Sequence, residues 1–147
     1  MYVEILGKEN VILPQKGDAG IDLIAESEPI FHYTESGEAV RFIEYSTNVR
    51  TAPSSENVHG FIFPRSSISN YDLTLCNSVA VIDSSYRGEI KLRFRKTTTN
   101  LAKIYKKGDK IGQLMFFSPC SPDIVFVNEF KTNSTLRAEG GFGSTGE

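Results

Sequence analysis

Apolar residues recur at alternate positions along many short stretches of the chain, and turn-forming residues separate these stretches. In Glu89–Arg95, for example, Ile90, Leu92 and Phe94 alternate with charged residues. A period of two is typical of a strand with one buried face. The pattern predicts strands at Tyr2–Leu6, Ile21–Ala25, Ala39–Tyr45, Val58–Phe63, Asp72–Leu75, Val79–Ile82, Glu89–Arg95, Lys110–Phe117 and Asp123–Val127.

Helical periodicity is weak throughout the chain. One short helix is predicted at Arg65–Tyr71, because Pro64 is well suited to open a helix. Closely spaced short strands with turns between them indicate a sandwich, a jelly roll or a barrel. The sequence therefore predicts an all-β fold with one short helix.

The stretch Cys76–Lys91 combines the most varied functional groups in the chain. Its apolar run, Val79–Ile82, ends in Asp83, and Tyr86 follows after a turn-prone Ser84-Ser85. We expect a hairpin of two strands joined by a short turn. An open backbone edge there offers N–H and C=O groups to a flat polar ring.

The composition changes at about Lys131, where core-forming residues become scarce. We predict a β domain over residues 1–130 and a flexible, glycine-rich C-terminal arm over residues 131–147. A disordered tail is the ordinary interpretation of such a terminus. The arginine and the aromatic residue among the glycines favour an arm that orders when ligand arrives.

Charge and cysteine content limit the classes of partner. The formal net charge is −2, whereas nucleic acids and anionic membranes usually need a basic face, so neither partner is expected. Cys76 and Cys120 fit no metal-ligand spacing, and free thiols are expected, with a single disulfide as the alternative. No signal peptide or membrane-spanning stretch is visible. We expect a protein of the cytoplasm, or of the host compartment in which nucleic acid is replicated.

The segment Gly141–Gly146 matches a dinucleotide-binding fingerprint letter by letter. That motif must follow a strand and open a helix, and only Glu147 follows it here. We therefore reject the dinucleotide interpretation. The property that remains is the ability of glycine-rich backbone to wrap closely around an anion.

Five short stretches occur in an informative order. They are Ala19–Leu23 with Asp22, Pro64–Ser67 with Arg65, Asn77–Lys91 with Asp83 and Tyr86, Gly108–Leu114 with Gln113, and Arg137–Gly146. Each is weak alone, but together the set resembles the five motifs of the trimeric dUTP pyrophosphatases (dUTPases). The resemblance implies a homotrimer of distorted jelly-roll subunits that converts dUTP and water to dUMP and pyrophosphate with Mg²⁺. Such an activity keeps uracil out of DNA and supplies dUMP for thymidylate synthesis.

The resemblance also assigns roles around the nucleoside. Asp83 is implied as the catalytic base that directs a water to the α-phosphorus. Tyr86 packs under the deoxyribose and excludes a ribose 2′-hydroxyl. The uracil edge is read by Asn77 and by the backbone near Val81 and Ile82, and Lys91 occupies a substrate-contacting position.

The phosphate roles follow from the same resemblance. Phosphates are implied to bind Arg65, Ser66, Ser67 and Gln113, and Asp22 to hold the metal through a bound water. In the arm, which closes over a neighbouring subunit's site, the implied substrate-binding residues are Arg137, Phe142, Gly143, Ser144 and Thr145. Phe142 stacks over the uracil, while Arg137, Ser144 and Thr145 close on the γ-phosphate.

Two other functions stay open from the sequence. A dCTP deaminase shares the architecture, although Tyr86 and the aromatic arm argue against it. A nucleotide-gated regulator that docks on a protein partner is compatible with catalysis, but no partner surface is identified.

Overall fold

The computed structural model describes residues 1–98, 103–120 and 122–128. Within them the chain forms eleven strands and two 3₁₀-helices, Lys8–Asn10 and Ser66–Asn70. The strands are β1 (Val3–Leu6), β2 (Val11–Ile12), β3 (Ile21–Ile24), β4 (Ile30–Tyr33), β5 (Val40–Ser46), β6 (Arg50–Pro53), β7 (His59–Phe63), β8 (Leu73–Leu75), β9 (Ala80–Ile82), β10 (Lys91–Lys96) and β11 (Lys110–Phe117). The all-β prediction is confirmed.

The strands form three antiparallel sheets. The largest has the order β2-β3-β11-β7-β9, the second has the order β4-β5-β10-β8, and β1 pairs with β6 alone. In the first sheet, β11 lies between β3 and β7, with Gln113 opposite both Asp22 and Phe63. This topology places residues from distant parts of the sequence side by side at the candidate site.

One hydrophobic core joins the two larger sheets. Leu92 and Phe94 of β10 are buried while the charged residues between them are exposed, as the alternation predicts. Phe94 meets the rings of Tyr45 and Tyr105 at centroid distances of 5.8 and 5.3 Å. The Tyr45 hydroxyl donates to the carbonyl of Tyr105 at 2.9 Å, so its buried polar end is satisfied.

Most predicted strands are confirmed to within one or two residues at their ends. The strand predicted at Asp123–Val127 is wrong, because no strand pairs with this segment in the described residues. Its side chains are exposed, with Phe126 at 95%. Strand propensity alone does not form a strand without a partner edge. Strands β2, β4 and β6 were not predicted, because they are short or lack alternation.

The hairpin predicted around Asp83 is also wrong. Strand β9 pairs with β7 in the five-stranded sheet, whereas β10 pairs with β5 and β8 in the four-stranded sheet. The stretch between them is therefore a crossing from one sheet to the other. The predicted helix at Arg65–Tyr71 is a 3₁₀-helix at Ser66–Asn70.

The remaining structural expectations concern thiols and membrane spans. Cys76 is half-buried and Cys120 is exposed, and both are free, which confirms that prediction. Across the described ranges, no helix has the length and apolarity to cross a membrane. The predicted C-terminal arm lies outside the described residues.

Candidate active site

Strand β9 forms an open edge of the five-stranded sheet. It pairs on one side with β7, with Gly60 opposite Ile82 and Phe61 opposite Val81. Its other side has no strand partner in the described part of the chain, and Val81 is 58% exposed. The expected open backbone edge is therefore present, although it does not belong to a hairpin.

A tight turn carries Asp83 directly after β9. The backbone N–H of Tyr86 donates to the Asp83 carbonyl at 3.0 Å. The Arg87 guanidinium donates to the carbonyls of Ser84 at 2.6 Å and Tyr86 at 3.0 Å. These bonds fold residues 83–87 into a compact unit, which we call the Asp83 turn, with the carboxylate exposed at its start.

The phenol of Tyr86 lies over the backbone that follows the turn. Its hydroxyl donates to the carbonyl of Glu89 at 3.0 Å, while 45% of the residue stays exposed. A Cβ at Gly88 would overlap this ring. Glycine at position 88 therefore lets Tyr86 present its ring as a flat surface beside Asp83.

A pocket of about 290 Å³, which we call the turn pocket, lies against this ribbon. Its lining includes Val81, Ile82, Asp83, Tyr86, Glu89 and Lys91. An adjoining pocket of about 390 Å³ shares Lys91 and Arg93 with it and adds Cys76 and Asn77. The structure thus brings the predicted nucleoside-contacting residues of the described chain to two pockets that share lining residues.

The buried carboxylate of Glu44 pairs with two basic residues that line the turn pocket. Glu44 pairs with Lys91 at 3.4 Å and with Arg93 at 2.7 Å. Burial opposes ionisation of Glu44, but the hydrogen bonds and charges of Arg93 and Lys91 outweigh it and lower the pKa. Lys91, predicted to contact substrate, is therefore held by a buried partner in the next strand.

Glu89, two residues after the Asp83 turn, links this part of the chain to the end of β5 and to the loop that follows β5. Its carboxylate accepts hydrogen bonds from the Ser46 hydroxyl and from the backbone N–H of Asn48, the latter at 2.8 Å. Burial raises the pKa of Glu89, but the bonds from Ser46 and Asn48, together with the charges of Lys91 and Arg50, more than offset this and leave the pKa lowered. Glu89 therefore contributes to stability in its ionised form.

We expect Glu89→Gln to lower the free energy of unfolding at pH 7 by about 1 kcal/mol, because a charge-assisted bond becomes a neutral one. A lowered folded-state pKa contributes stability above the unfolded-state pKa and loses it as pH falls through the folded value. The gap between the melting temperatures of wild type and variant should therefore close below about pH 4. A gap that stays constant from pH 7 to pH 3.5, at fixed protein concentration, would contradict this role.

A third pocket of about 440 Å³, which we call the cation pocket, is lined by three of the residues predicted to bind phosphate and metal. Asp22 on β3, Gln113 on β11 and Arg65 after β7 line it together with Lys110. Arg65 Nε lies 2.9 Å from Asp22 Oδ1, and Lys110 Nζ lies 2.9 Å from Asp22 Oδ2. Asp18 also lines this pocket, so two cations and two carboxylates balance in charge, and Arg65 and Lys110 provide the donors that an anionic ligand needs.

Ser66 and Ser67 begin the 3₁₀-helix that follows Arg65. Ser66 is exposed, and its carbonyl accepts a hydrogen bond from the Ser69 hydroxyl at 3.1 Å. Neither serine is among the residues that line the cation pocket. Their predicted contact with phosphate stays a prediction, as does the contact of the arm residues Arg137, Phe142, Gly143, Ser144 and Thr145, which lie outside the described residues.

Several residues that build the site were not predicted from the sequence. Lys110, Arg87 and Glu89 lie within the five motif stretches, but their sequence context predicts no role for them. No partner of His59 is evident in the sequence, whereas in the structure its Nδ1 accepts a hydrogen bond from the backbone N–H of Ser84 at 3.3 Å. Only the register between β7 and β9 reveals that contact.

Comparison with known proteins agrees with the geometry. The dUTPase family model matches residues 9–146. A deoxyuridine 5′-triphosphate nucleotidohydrolase of Clostridium kluyveri is 35% identical and covers 99% of this chain and 97% of that protein. One from Desulfitobacterium hafniense is 37% identical over 91% of this chain and 87% of that protein.

Solved structures share the fold. The dUTPase of Staphylococcus bacteriophage 80alpha, solved with dUPNHPP, superposes with a TM-score of 0.77 at 22% identity over 99% of each chain. The native EIAV dUTPase superposes with a TM-score of 0.64 at 20% identity, covering 88% of this chain and all of that one. On the match over nearly its whole length, the chain belongs to the dUTPase family.

Proposed function

We propose that this chain hydrolyses dUTP to dUMP and pyrophosphate by attack of water on the α-phosphorus. The observation that carries the proposal is the turn pocket. The exposed carboxylate of Asp83, the hydrogen-bonded phenol of Tyr86 and the open edge of β9 lie together there. The sequences of the nucleotidohydrolases described above support the choice of substrate.

The open edge of β9 supports recognition of uracil. Uracil presents a donor between two acceptors on one edge, which matches alternating backbone groups of a strand. Cytosine presents a different pattern, and each buried polar group left unpaired costs about 1–3 kcal/mol. The Asn77 amide, across the adjoining pocket, supplies a further donor and acceptor.

Asp83 is the proposed general base. A carboxylate at the start of a tight turn holds a water by hydrogen bonding and takes its proton as the water attacks. No covalent intermediate with the protein is needed. Displacement at phosphorus depends mainly on positioning and charge stabilisation, so the bonds that shape the Asp83 turn serve the chemistry directly.

The cation pocket is the proposed phosphate site. The guanidinium of Arg65 offers a planar set of donors to phosphate oxygens, and Lys110 offers a compact positive charge. Asp22 holds both cations in place. Gln113 adds a neutral polar group from the central strand of the same sheet.

Mg²⁺ fits this pocket together with a triphosphate rather than as a resident ion. The described ranges contain no group of three or more His, Cys, Asp or Glu placed to hold a metal, and both oxygens of Asp22 already face cations. Mg²⁺ prefers several oxygen ligands, including substrate phosphates and water. When bound, it would offset phosphate charge, with Asp22 reaching it through a water.

A homotrimer with sites between subunits is part of the proposal. On one chain, the turn pocket and the cation pocket share no lining residue. We propose that assembly sets the turn pocket of one subunit against the cation pocket of another. Exposed apolar side chains, including Val81 at 58% and Val125 at 75%, support burial in an assembly.

The C-terminal arm is proposed to close over a neighbouring subunit's site. Deleting residues 137–147 removes one arginine and a glycine-rich backbone segment with several N–H donors. We expect kcat/KM for dUTP to fall about 10²-fold or more, as when a donor to developing charge is lost. The oligomeric mass should stay unchanged by light scattering. Full activity of the truncated protein would show that the arm takes no part.

The direct test is release of pyrophosphate from dUTP, dTTP, dCTP and UTP in the presence of Mg²⁺. We expect rapid release from dUTP and little from the other three. Preference for UTP would contradict the role of Tyr86 against the ribose hydroxyl. Ammonia released from dCTP, without pyrophosphate from dUTP, would replace the proposal by a deaminase.

A further inference from the structure

His59 links the Asp83 turn to the five-stranded sheet. It is the first residue of β7 and is partly buried, and its Nδ1 accepts a hydrogen bond from the Ser84 backbone N–H at 3.3 Å. The β7–β9 ladder ends with Gly60 opposite Ile82. Continuing this antiparallel register by one residue sets His59 opposite Asp83. The His59 imidazole therefore contacts the chain just beyond the last paired residues of the β7–β9 ladder.

We propose that His59 is a positioning residue for Asp83, and that its neutral imidazole fixes the backbone from which the catalytic carboxylate projects. This inference rests on the proposed function, in which Asp83 is the base. Ser84 follows Asp83 directly, so holding its N–H restrains the peptide group that joins the two residues. The orientation of the Asp83 side chain then depends on the tautomer and charge of His59.

The other bonds of the turn cannot replace this link. Those from Tyr86 to Asp83 and from Arg87 to Ser84 join residues three apart in sequence, so they shape the turn without orienting it toward the sheet. Glu89 anchors the far end of the loop to Ser46 and Asn48. Of the described contacts of Ser84, the one to His59 alone joins the start of the turn to a distant strand.

The chemistry of the acceptor makes the link sensitive to protonation. A neutral imidazole accepts at Nδ1 only when its proton is on Nε2, and a protonated imidazole has no acceptor nitrogen. Two charged groups belong to the turn beside it, Asp83 and Arg87, while its partner on β11 is the uncharged Phe117. An imidazolium at position 59, or a side chain without an acceptor atom at the Nδ1 position, would therefore break the link and release the turn.

The test compares kcat and KM for dUTP among wild type, His59→Ala, His59→Asn and His59→Gln. Asparagine places a non-titrating acceptor close to the Nδ1 position, whereas glutamine places its oxygen one bond further out. We expect alanine and glutamine to lower kcat about 10- to 100-fold with KM nearly unchanged, because misplacing a catalytic group by about 1 Å costs up to that much. Asparagine should restore most of kcat.

The second histidine of the chain provides a matched control. His32 lies on β4 in the four-stranded sheet and stacks on Phe42 at 4.3 Å, so His32→Gln should keep kcat within twofold of wild type. A His59→Ala variant with kcat within twofold of wild type would overturn the inference, as would equal activity of the His59→Asn and His59→Gln variants.

The outcome is separable from the proposed function. If wild type fails to hydrolyse dUTP, or Asp83→Asn remains active, the assignment of the base fails. If both behave as proposed but the His59 variants do not, the positioning role alone is wrong. If His59→Ala does not fold, the asparagine and glutamine pair still decides the question.

Discussion

Replacing Asp83 by asparagine is expected to lower kcat for dUTP about 10²- to 10⁴-fold, the usual contribution of a positioned general base. The amide is nearly the same size as the carboxylate, but it cannot accept a proton from water at neutral pH. Asp83 is exposed at the start of its turn, and the turn is held through its backbone. The variant should therefore keep its fold, and its affinity for a non-hydrolysable dUTP analogue should change little.

Asp123 offers a matched control for this experiment. It is exposed and lies outside the residues that line the turn pocket and the cation pocket. Asp123→Asn makes the same chemical change and should keep full turnover. Stopped-flow release of pyrophosphate together with calorimetric binding of the analogue separates catalysis from affinity. Turnover within tenfold of wild type in Asp83→Asn would remove this residue from the role of base.

Replacing Arg65 by methionine is expected to produce the second large effect, a fall in kcat/KM of about 10²- to 10³-fold. Methionine keeps much of the side-chain volume but removes the guanidinium. The cation pocket then retains Lys110 with the carboxylates of Asp22 and Asp18, so its lining becomes net negative. A triphosphate that approaches this pocket would be repelled by a carboxylate that has lost one of its two partners.

The charge and the shape of Arg65 can be tested separately. Arg65→Lys keeps the charge without the planar donors and should fall between wild type and the methionine variant. Arg41, an exposed arginine of β5 outside both pockets, provides the control, and Arg41→Met should leave kcat/KM unchanged. Melting temperatures at equal protein concentration exclude unfolding as the cause. Equal losses in the Arg41 and Arg65 variants would show a general effect of net charge instead.

Local patterns in the sequence were enough to locate most strands. Alternation in β10 correctly assigned Leu92 and Phe94 to the core and its charged residues to the surface. Strand pairing could not be obtained in the same way, because two adjacent strands with a short connection can belong to different sheets. The stretch around Asp83 shows this, since β9 and β10 diverge instead of forming a hairpin.

The candidate site, like the fold, could be predicted from the sequence only in part. The motif set predicted Asp83, Tyr86, Asp22 and Arg65, the residues to which the proposed chemistry is assigned, because each lies in a short stretch that can be read directly from the sequence. The residues that hold them depend on long-range contacts, as in the bond from Ser84 to His59. These supporting contacts arise from register and sheet order, and no local pattern encodes them.

The most direct test of the account is a crystal structure with a non-hydrolysable dUTP analogue and Mg²⁺. We predict that the uracil lies against the open edge of β9, and that one water lies between the Asp83 carboxylate and the α-phosphorus, in line with the leaving pyrophosphate. Arg65 should contact the phosphate chain from a neighbouring subunit. A pyrimidine bound away from β9, or an Asp83 carboxylate with no water between it and the α-phosphorus, would contradict the account.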